Sequence, residues 1–382
     1  KADGSQKVVS LIRDEIVIDE TFAHSVIVDN GKAKIGFILV PEFYIDFENP
    51  KGAHASADVR KEVIKLKEEK VDGIIVDVRT NPGGGLYDVI DMAGLFIEDG
   101  PIVQVKDRDG KASVLKDRDK SILYDGPLAV MVNEFSASAA EIFAAAIQDY
   151  KRGVIIGSSS TYGKGTVQRS IGLEPTGNVL SNDGELGAVK VTLQKYYRID
   201  GGSVQLKGVK SDIVLPDIYE YLKFREKDVP DALPWDVIAK ADYTVWKPGY
   251  DLKDIQAKSA SRVLNNPAFK TIKANTEWLD KQNDKMYSLN IDKYRQERKL
   301  IGNAYKQMDS LGGIEKPFLV RALTGEENKY ANDKNKADRL NAWMKALSKD
   351  IYLNEAMNVM NDMVAAKKAP AQVAVTASTG KK

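Results

Sequence analysis

Three short apolar runs, Gly73-Ile-Ile-Val-Asp77, Leu128-Ala-Val-Met-Val132 and Val154-Ile-Ile156, constrain this chain more than any other feature. None alternates apolar with polar residues, so none offers a face to water. Each reads as a strand covered on both sides, the pattern of a parallel sheet between helical layers. Helical spacing lies between them. Residues 57–70 set Val59, Val63, Leu66 and Lys70 on one face, the first three apolar, and further helices are expected near 87–97 and over 138–150. Residues 34–47 and 102–105 add strands, followed by a turn at DRDG, 107–110. Strand-helix-strand alternation needs crossover connections, hence an α/β fold with a mostly parallel core sheet.

The flanking regions read differently. Residues 7–20, KVVSLIRDEIVIDE, alternate and predict two short strands, while 186–199 and 203–215 flank Asp200-Gly-Gly202 and predict a β-hairpin that closes the α/β unit. From about 221 the strand signals stop, and helix-like apolar spacing over 276–309 and 335–366 predicts a C-terminal all-helical domain. The last residues, 367–382, hold too little apolar surface to fold alone and predict a flexible tail. The expected units are therefore 1–33, 34–220, 221–366 and 367–382.

Composition narrows the chemistry. With 56 basic and 55 acidic residues nothing points to nucleic acid, and no apolar run approaches the ~18 residues of a membrane span. The absence of cysteine excludes thiolate nucleophiles, disulfides and cysteine metal sites. Only His24 and His54 could serve a histidine-based triad, and both read as solvated or hydrogen-bonded side chains in a strand and a loop. No metal and no cofactor is expected.

Three loops that follow buried-type strands remain. Ser138 opens the helix 138–150, and Ser138-Ala-Ala-Glu141 matches an S-x-x-E capping box; a serine there can also attack, helped by the free amides of the helix start. Thr161-Tyr-Gly-Lys-Gly-Thr-Val-Gln168 resembles a phosphate-binding loop, but Ser158 stands where a glycine is required and Gly165 where a hydroxyl is required. What it offers is Lys164 between two glycines, with no acid between Asp149 and Glu174; burial would favour a neutral amine able to take a serine proton. The loop Asn81-Pro-Gly-Gly-Gly85 suits an anion cradle or a plain tight turn. Together the three could supply a nucleophile, a base and oxyanion donors, the set needed for acyl transfer without histidine.

Four stretches in this order resemble the C-terminal processing, or tail-specific, serine proteases: Asp77-Val-Arg-Thr-Asn-Pro-Gly-Gly84, Phe135-Ser-Ala-Ser-Ala-Ala-Glu-Ile142, Tyr162-Gly-Lys-Gly-Thr-Val-Gln168 and Gly208-Val-Lys-Ser-Asp-Ile213. The likeness runs over about 8–217, and from Asp231-Ala-Leu-Pro-Trp-Asp236 onward the chain is similar to the C-terminal domain of the larger periplasmic bacterial members. The resemblance implies a crotonase-like α/β core, with Ser138 as nucleophile, Lys164 as general base and Gln168 orienting the lysine amine. It also implies an oxyanion hole made from the amide of Ala139 and that of Gly83 or Gly84, with Ser136 a mere neighbour. Substrates would be proteins or peptides with apolar C-terminal tails, cut in the periplasm or cell envelope; adaptors and self-association stay open. Family members carry a tail-binding PDZ domain, of which only about residues 1–20 resemble the last strands, so the chain is expected to be a fragment lacking most of it. The other expectation is a non-catalytic scaffold of the same fold that holds peptides or a partner protein.

Overall fold

The computed structural model describes residues 3–368 except 12–18, 47–48, 50–51, 174–186, 312 and 315. Its centre is a seven-stranded sheet. The strands are β1 (His24–Asp29), β2 (Lys34–Leu39), β3 (Gly73–Asp77), β6 (Leu128–Val132), β7 (Val154–Gly157), β10 (Ile213–Val214) and β11 (Leu319–Arg321), in the spatial order β10-β7-β6-β3-β2-β1-β11. From β10 to β2 every pairing is parallel; β1 and β11 are antiparallel additions at one edge. The intervening elements are α1 (Ala55–Glu68), α2 (Leu86–Gly94), β4 (Gly100–Lys106), β5 (Ala112–Asp117), α3 (Ala139–Asp149), β8 (Thr166–Gly172) and β9 (Ala188–Tyr197). After β10 come α4 (Leu252–Asn265), α5 (Pro267–Asn283) and α6 (Ile291–Leu311), then β11, α7 (Lys334–Leu347) and α8 (Ile351–Lys368).

The unbroken apolar runs follow from this layering. On one face Ile74 and Val76 of β3 pack with Val130, Ile155 and the α1, α2 and α3 side chains Val59, Val63, Val89 and Phe143. On the other, Ile75 packs with Ala129, Met131 and Ile156 against Ile255 of α4, Phe269 of α5 and Met357, Met360 and Met363 of α8. A strand whose two faces meet two apolar layers reads as a continuous apolar run, and β3 turns polar only at its last residue, Asp77. The helical region therefore covers the second face of the sheet instead of standing apart from it. This is the α/β core with a following helical region that the resemblance implies.

Four sequence readings change. The 7–20 segment is not strand over residues 7–11, Asp19–Thr21 is a single 3-10 turn, and 12–18 lie outside the described residues. The proposed hairpin around Asp200 is reduced to one antiparallel bridge, Tyr197 with Ser203, because β9 joins one sheet and β10 another. That second sheet, antiparallel and four-stranded in the order β5-β4-β9-β8, holds two strands the sequence reading did not assign, β5 and β8. Their outer residues face water over most of their length, so neither shows the apolar density of the core strands. The helical region also carries one strand, β11, too short at three residues for a period-2 signal. The flexible-tail expectation falls on 367–382, of which only Lys367 and Lys368, at the end of α8, are described.

Candidate active site

β7, β6 and β3 are consecutive in the parallel sheet, so the loops that leave their carboxyl ends, 78–85, 133–138 and 158–165, meet at one edge. Backbone bonds lock them together. The Ala137 amide donates to Asn81 O at 2.9 Å and that of Tyr162 to Ser136 O at 3.0 Å. Ser136 is fully buried and donates from Oγ to Val78 O at 2.8 Å, while its Oγ accepts from the Asn133 amide at 3.0 Å. Its hydroxyl is thus consumed in tying two loops together.

Ser138, two residues on, differs in every respect. It is half-buried, it precedes the first turn of α3, and its φ of 55° is a left-handed value that few non-glycine residues adopt. Its backbone performs the capping: the Ser138 amide donates to Glu141 Oε2 at 2.8 Å, and the Glu141 amide donates to Ser138 O at 2.9 Å. The hydroxyl lies beside that helix start in a capping-box arrangement without making a cap hydrogen bond of its own. Gly83 packs directly on it, since a Cβ there would stand 2.7 Å from Ser138 Cβ and 3.0 Å from Ala139 N.

Of the expected oxyanion donors, the Gly83 amide is engaged, donating to Asn81 Oδ1 at 2.8 Å. The strand-like bridge between Phe43 and Gly84 uses Gly83 O and Gly85 N, at 2.8 and 2.7 Å, which turns the Gly84 amide away from Phe43. Ala139 is the first residue of α3, a position whose amide has no acceptor within its own helix.

Lys164 enters the site on the loop between β7 and β8. Its flanking glycines permit a close crossing by the 203–208 backbone; a Cβ on Gly165 would lie 2.7 Å from Gln205 N. Glu141 holds this loop to the serine. Fully buried, it accepts four hydrogen bonds: from Thr161 Oγ1 at 2.6 Å and the Gly163 amide at 2.7 Å on Oε1, and from the Ser138 and Lys164 amides at 2.8 and 2.9 Å on Oε2. Burial pushes its carboxyl up to about 7, against four donors that favour the anion. Tyr196 of β9 mirrors the arrangement, its hydroxyl donating to Ser138 O at 3.1 Å and closely to Lys164 O. One carboxylate oxygen thus joins the two amides, and one phenol joins the two carbonyls. Burial, and secondarily the positive Lys190, lower the Lys164 amine below its ordinary value, while Glu226 and Glu141 oppose this.

Gln168 is exposed on β8, next to a register shift between Val167 and Gln168, and its amide donates to Thr192 Oγ1 at 3.4 Å. His24 packs edge-on against Trp343 at 4.6 Å, and His54 precedes α1 beside Asp88 at 3.4 Å. Sequence reasoning had Glu141 only as half of a capping box, and it missed Tyr196 and Asn81 as site residues. Tyr196 carries no local signal, being one of two adjacent tyrosines at the end of a strand.

Residues 34–215 match the model for peptidase family S41, and 219–365 match that for the C-terminal domain of tail specific protease. The chain is 38% identical over 292 residues to a tail-specific protease of Haemophilus influenzae, covering 75% of this chain and 40% of that protein. It is 35% identical over 181 residues to a carboxy-terminal-processing protease of Bartonella bacilliformis, covering 46% and 39%. The chain thus spans about two fifths of the length of these relatives. Among solved structures it is similar to a photosystem II D1 C-terminal processing protease, with 27% identity, a TM-score of 0.42, and 53% of this chain and 50% of that chain covered.

Proposed function

The chain belongs to peptidase family S41, in its tail-specific, C-terminal processing group, and from that premise we propose a serine endopeptidase that works through Ser138 and Lys164 and cuts proteins near their C-termini. The neutral Lys164 amine takes the Ser138 hydroxyl proton as Oγ attacks a peptide carbonyl. The carbonyl oxygen, now an anion, is received by the amides of Ala139 and Gly84, with Gly83 occupied in holding the loop. Lys164 passes its proton to the departing amine, leaving an acyl-serine, then takes a proton from the attacking water and returns it to Ser138 Oγ as the acyl bond breaks. Gln168 enters this reading as a neighbour on β8.

The observation that carries the proposal is the paired clamp of Glu141 and Tyr196, which fixes residues 138 and 164 against one another at both ends of their peptide units. A surface lysine and a simple helix cap would need no such joint. The lowered amine supports it, because a base must be free of its proton at working pH. Substrates with apolar C-terminal tails and action in the periplasm or cell envelope follow from the family resemblance; no helix among the described residues is long and apolar enough to cross a membrane.

The test is covalent labelling by a fluorophosphonate, with the acylated residue located by mass spectrometry. Ser138→Ala and Lys164→Ala should each abolish it. Full labelling of Ser138→Ala removes Ser138 from the mechanism. In the parent, the labelling rate should rise with pH and level off below the ~10.4 of an ordinary lysine.

A further inference from the structure

The segment after the α/β core reaches back onto both reactive loops. Resting on the Ser138–Lys164 reading, we infer that Arg225 is a positioning residue that sets the spacing of those two loops. Its guanidinium is 4% exposed and divides its nitrogens between them. Nη2 donates to Glu134 Oε1 at 3.2 Å, on the loop that carries Ser138, and Nη1 donates to Ser160 Oγ at 2.8 Å, on the loop that carries Lys164. A planar fork with its two ends on two loops fixes the gap between them, which a single ammonium cannot do.

Its neighbours act on the same joint. The Phe224 ring stacks on Phe135 of the serine loop at 4.6 Å and lies 6.3 Å from Tyr162 of the lysine loop. Glu226 grips the lysine loop at two points: its amide donates to Tyr162 O at 3.2 Å, and its Oε1 accepts from Gln205 Nε2 at 2.8 Å, while Gln205 Oε1 accepts from the Gly165 amide at 2.8 Å. Three consecutive residues therefore hold the two loops, Phe224 and Arg225 through side chains and Glu226 through backbone as well, and none of their hydrogen bonds falls on the Ser138 hydroxyl or the Lys164 amine. All three lie past residue 215, where the match to the peptidase model ends, and inside the 219–365 region. The second region of the chain thus supplies the brace that the first region's chemistry uses.

Truncating Arg225 alone would strand the buried Glu134, so the informative protein is the double variant Glu134→Gln/Arg225→Met, which removes that buried pair together and releases only the half-exposed Glu220, the other carboxylate on Nη2 at 3.2 Å, to water. It is compared with the parent, Arg225→Lys and Phe224→Leu by the rate of Ser138 acylation with a fluorophosphonate between about pH 6 and 10. The double variant should melt near the parent yet acylate on the order of 10²-fold more slowly, with its rise displaced to higher pH, because a small misplacement of reacting groups costs that much. Arg225→Lys should recover only part of the rate. Phe224→Leu, at a half-buried position that tolerates the change, should slow acylation about tenfold and keeps the test decisive if the double variant fails to fold. A parent-like rate and pH profile in the double variant, or in Phe224→Leu where only that protein folds, overturns the proposal. A parent that is never acylated at Ser138 removes the premise and this inference with it. A labelled parent with insensitive variants removes this inference alone.

Discussion

Two buried glutamates lie on either side of Ser138, Glu134 before it and Glu141 after it, and they are held in opposite ways. Glu141 receives four donors from two segments of chain, so every lone pair that a carboxylate directs at its neighbours is used. Glu134 receives Arg225 on Oε1, while Oε2 is buried without a hydrogen-bond partner beside Asp217. Burial and the facing Asp217 hold Glu134 well above the ordinary carboxylate range, and burial raises Asp217 as well. Arg225 is the counter-charge on the Glu134 side of this raised pair. The same residue type thus serves as an acceptor hub on one side of the serine and as a proton-holding partner of an arginine on the other.

The largest effect that would break this comparison is Glu141→Gln. The new amide turns a donor toward the Ser138 and Lys164 amides or toward Thr161 and Gly163, and each opposed donor costs roughly 1–3 kcal/mol. Acylation of Ser138 should fall at least on the order of 10²-fold, because both reactive residues lose their common anchor. If the rate held within about threefold, an ordinary cap would describe Glu141 well enough. Tyr196→Phe comes next. It leaves two carbonyls without their shared donor, and the loss of a modest hydrogen-bonded joint should lower stability by about 1–2 kcal/mol and acylation by about tenfold, read from denaturant melts and the same labelling assay.

Glu134→Gln should do something different in kind. A carboxyl raised in the fold keeps a proton that the unfolded chain has already released, so its stabilising contribution is complete at low pH and is lost as pH climbs from the ordinary carboxylate range through its raised value. The substituted amide copies the protonated form and does not titrate. Denaturant midpoints should therefore be close to the parent's at mildly acidic pH and should exceed them increasingly toward alkaline pH. A variant uniformly weaker across the range would mean that Glu134 works as an anion, as Glu141 does.

The contrast also explains what could be read from residues alone. Strands β3, β6 and β7 were legible because each is apolar on both faces, and the three loops were legible because chain order places them at the ends of those strands. Ser138 and Lys164 stood out by residue type. Their joint did not, because Glu141 meets Lys164 across 23 positions and Tyr196 meets Ser138 across 58, distances at which no local pattern operates. β8 and β5 escaped for the opposite reason, since strands bathed on most of their surface leave no buried pattern to detect. Arg225 looks like any charged residue in a polar linker until the fold buries it.

Gln168 gives the smallest expected effect and the finest test of the same contrast. The family resemblance implies that it orients the lysine amine, yet here it lies on the exposed run of β8, bonded weakly to Thr192 beyond a register shift. The groups that hold Lys164 are backbone donors and acceptors to Glu141, Tyr196 and Gln205, all of them buried, and a side chain in water adds little to a joint already made. Gln168→Ala should change the acylation rate by less than about threefold and stability by less than about 0.5 kcal/mol, the range of an exposed substitution. A tenfold loss would mean that β8 moves during the reaction and carries Gln168 to the amine. The bulge at Val167 would then be the place to look for that motion, because a strand already out of register there can shift by a residue without breaking the ladder beyond it.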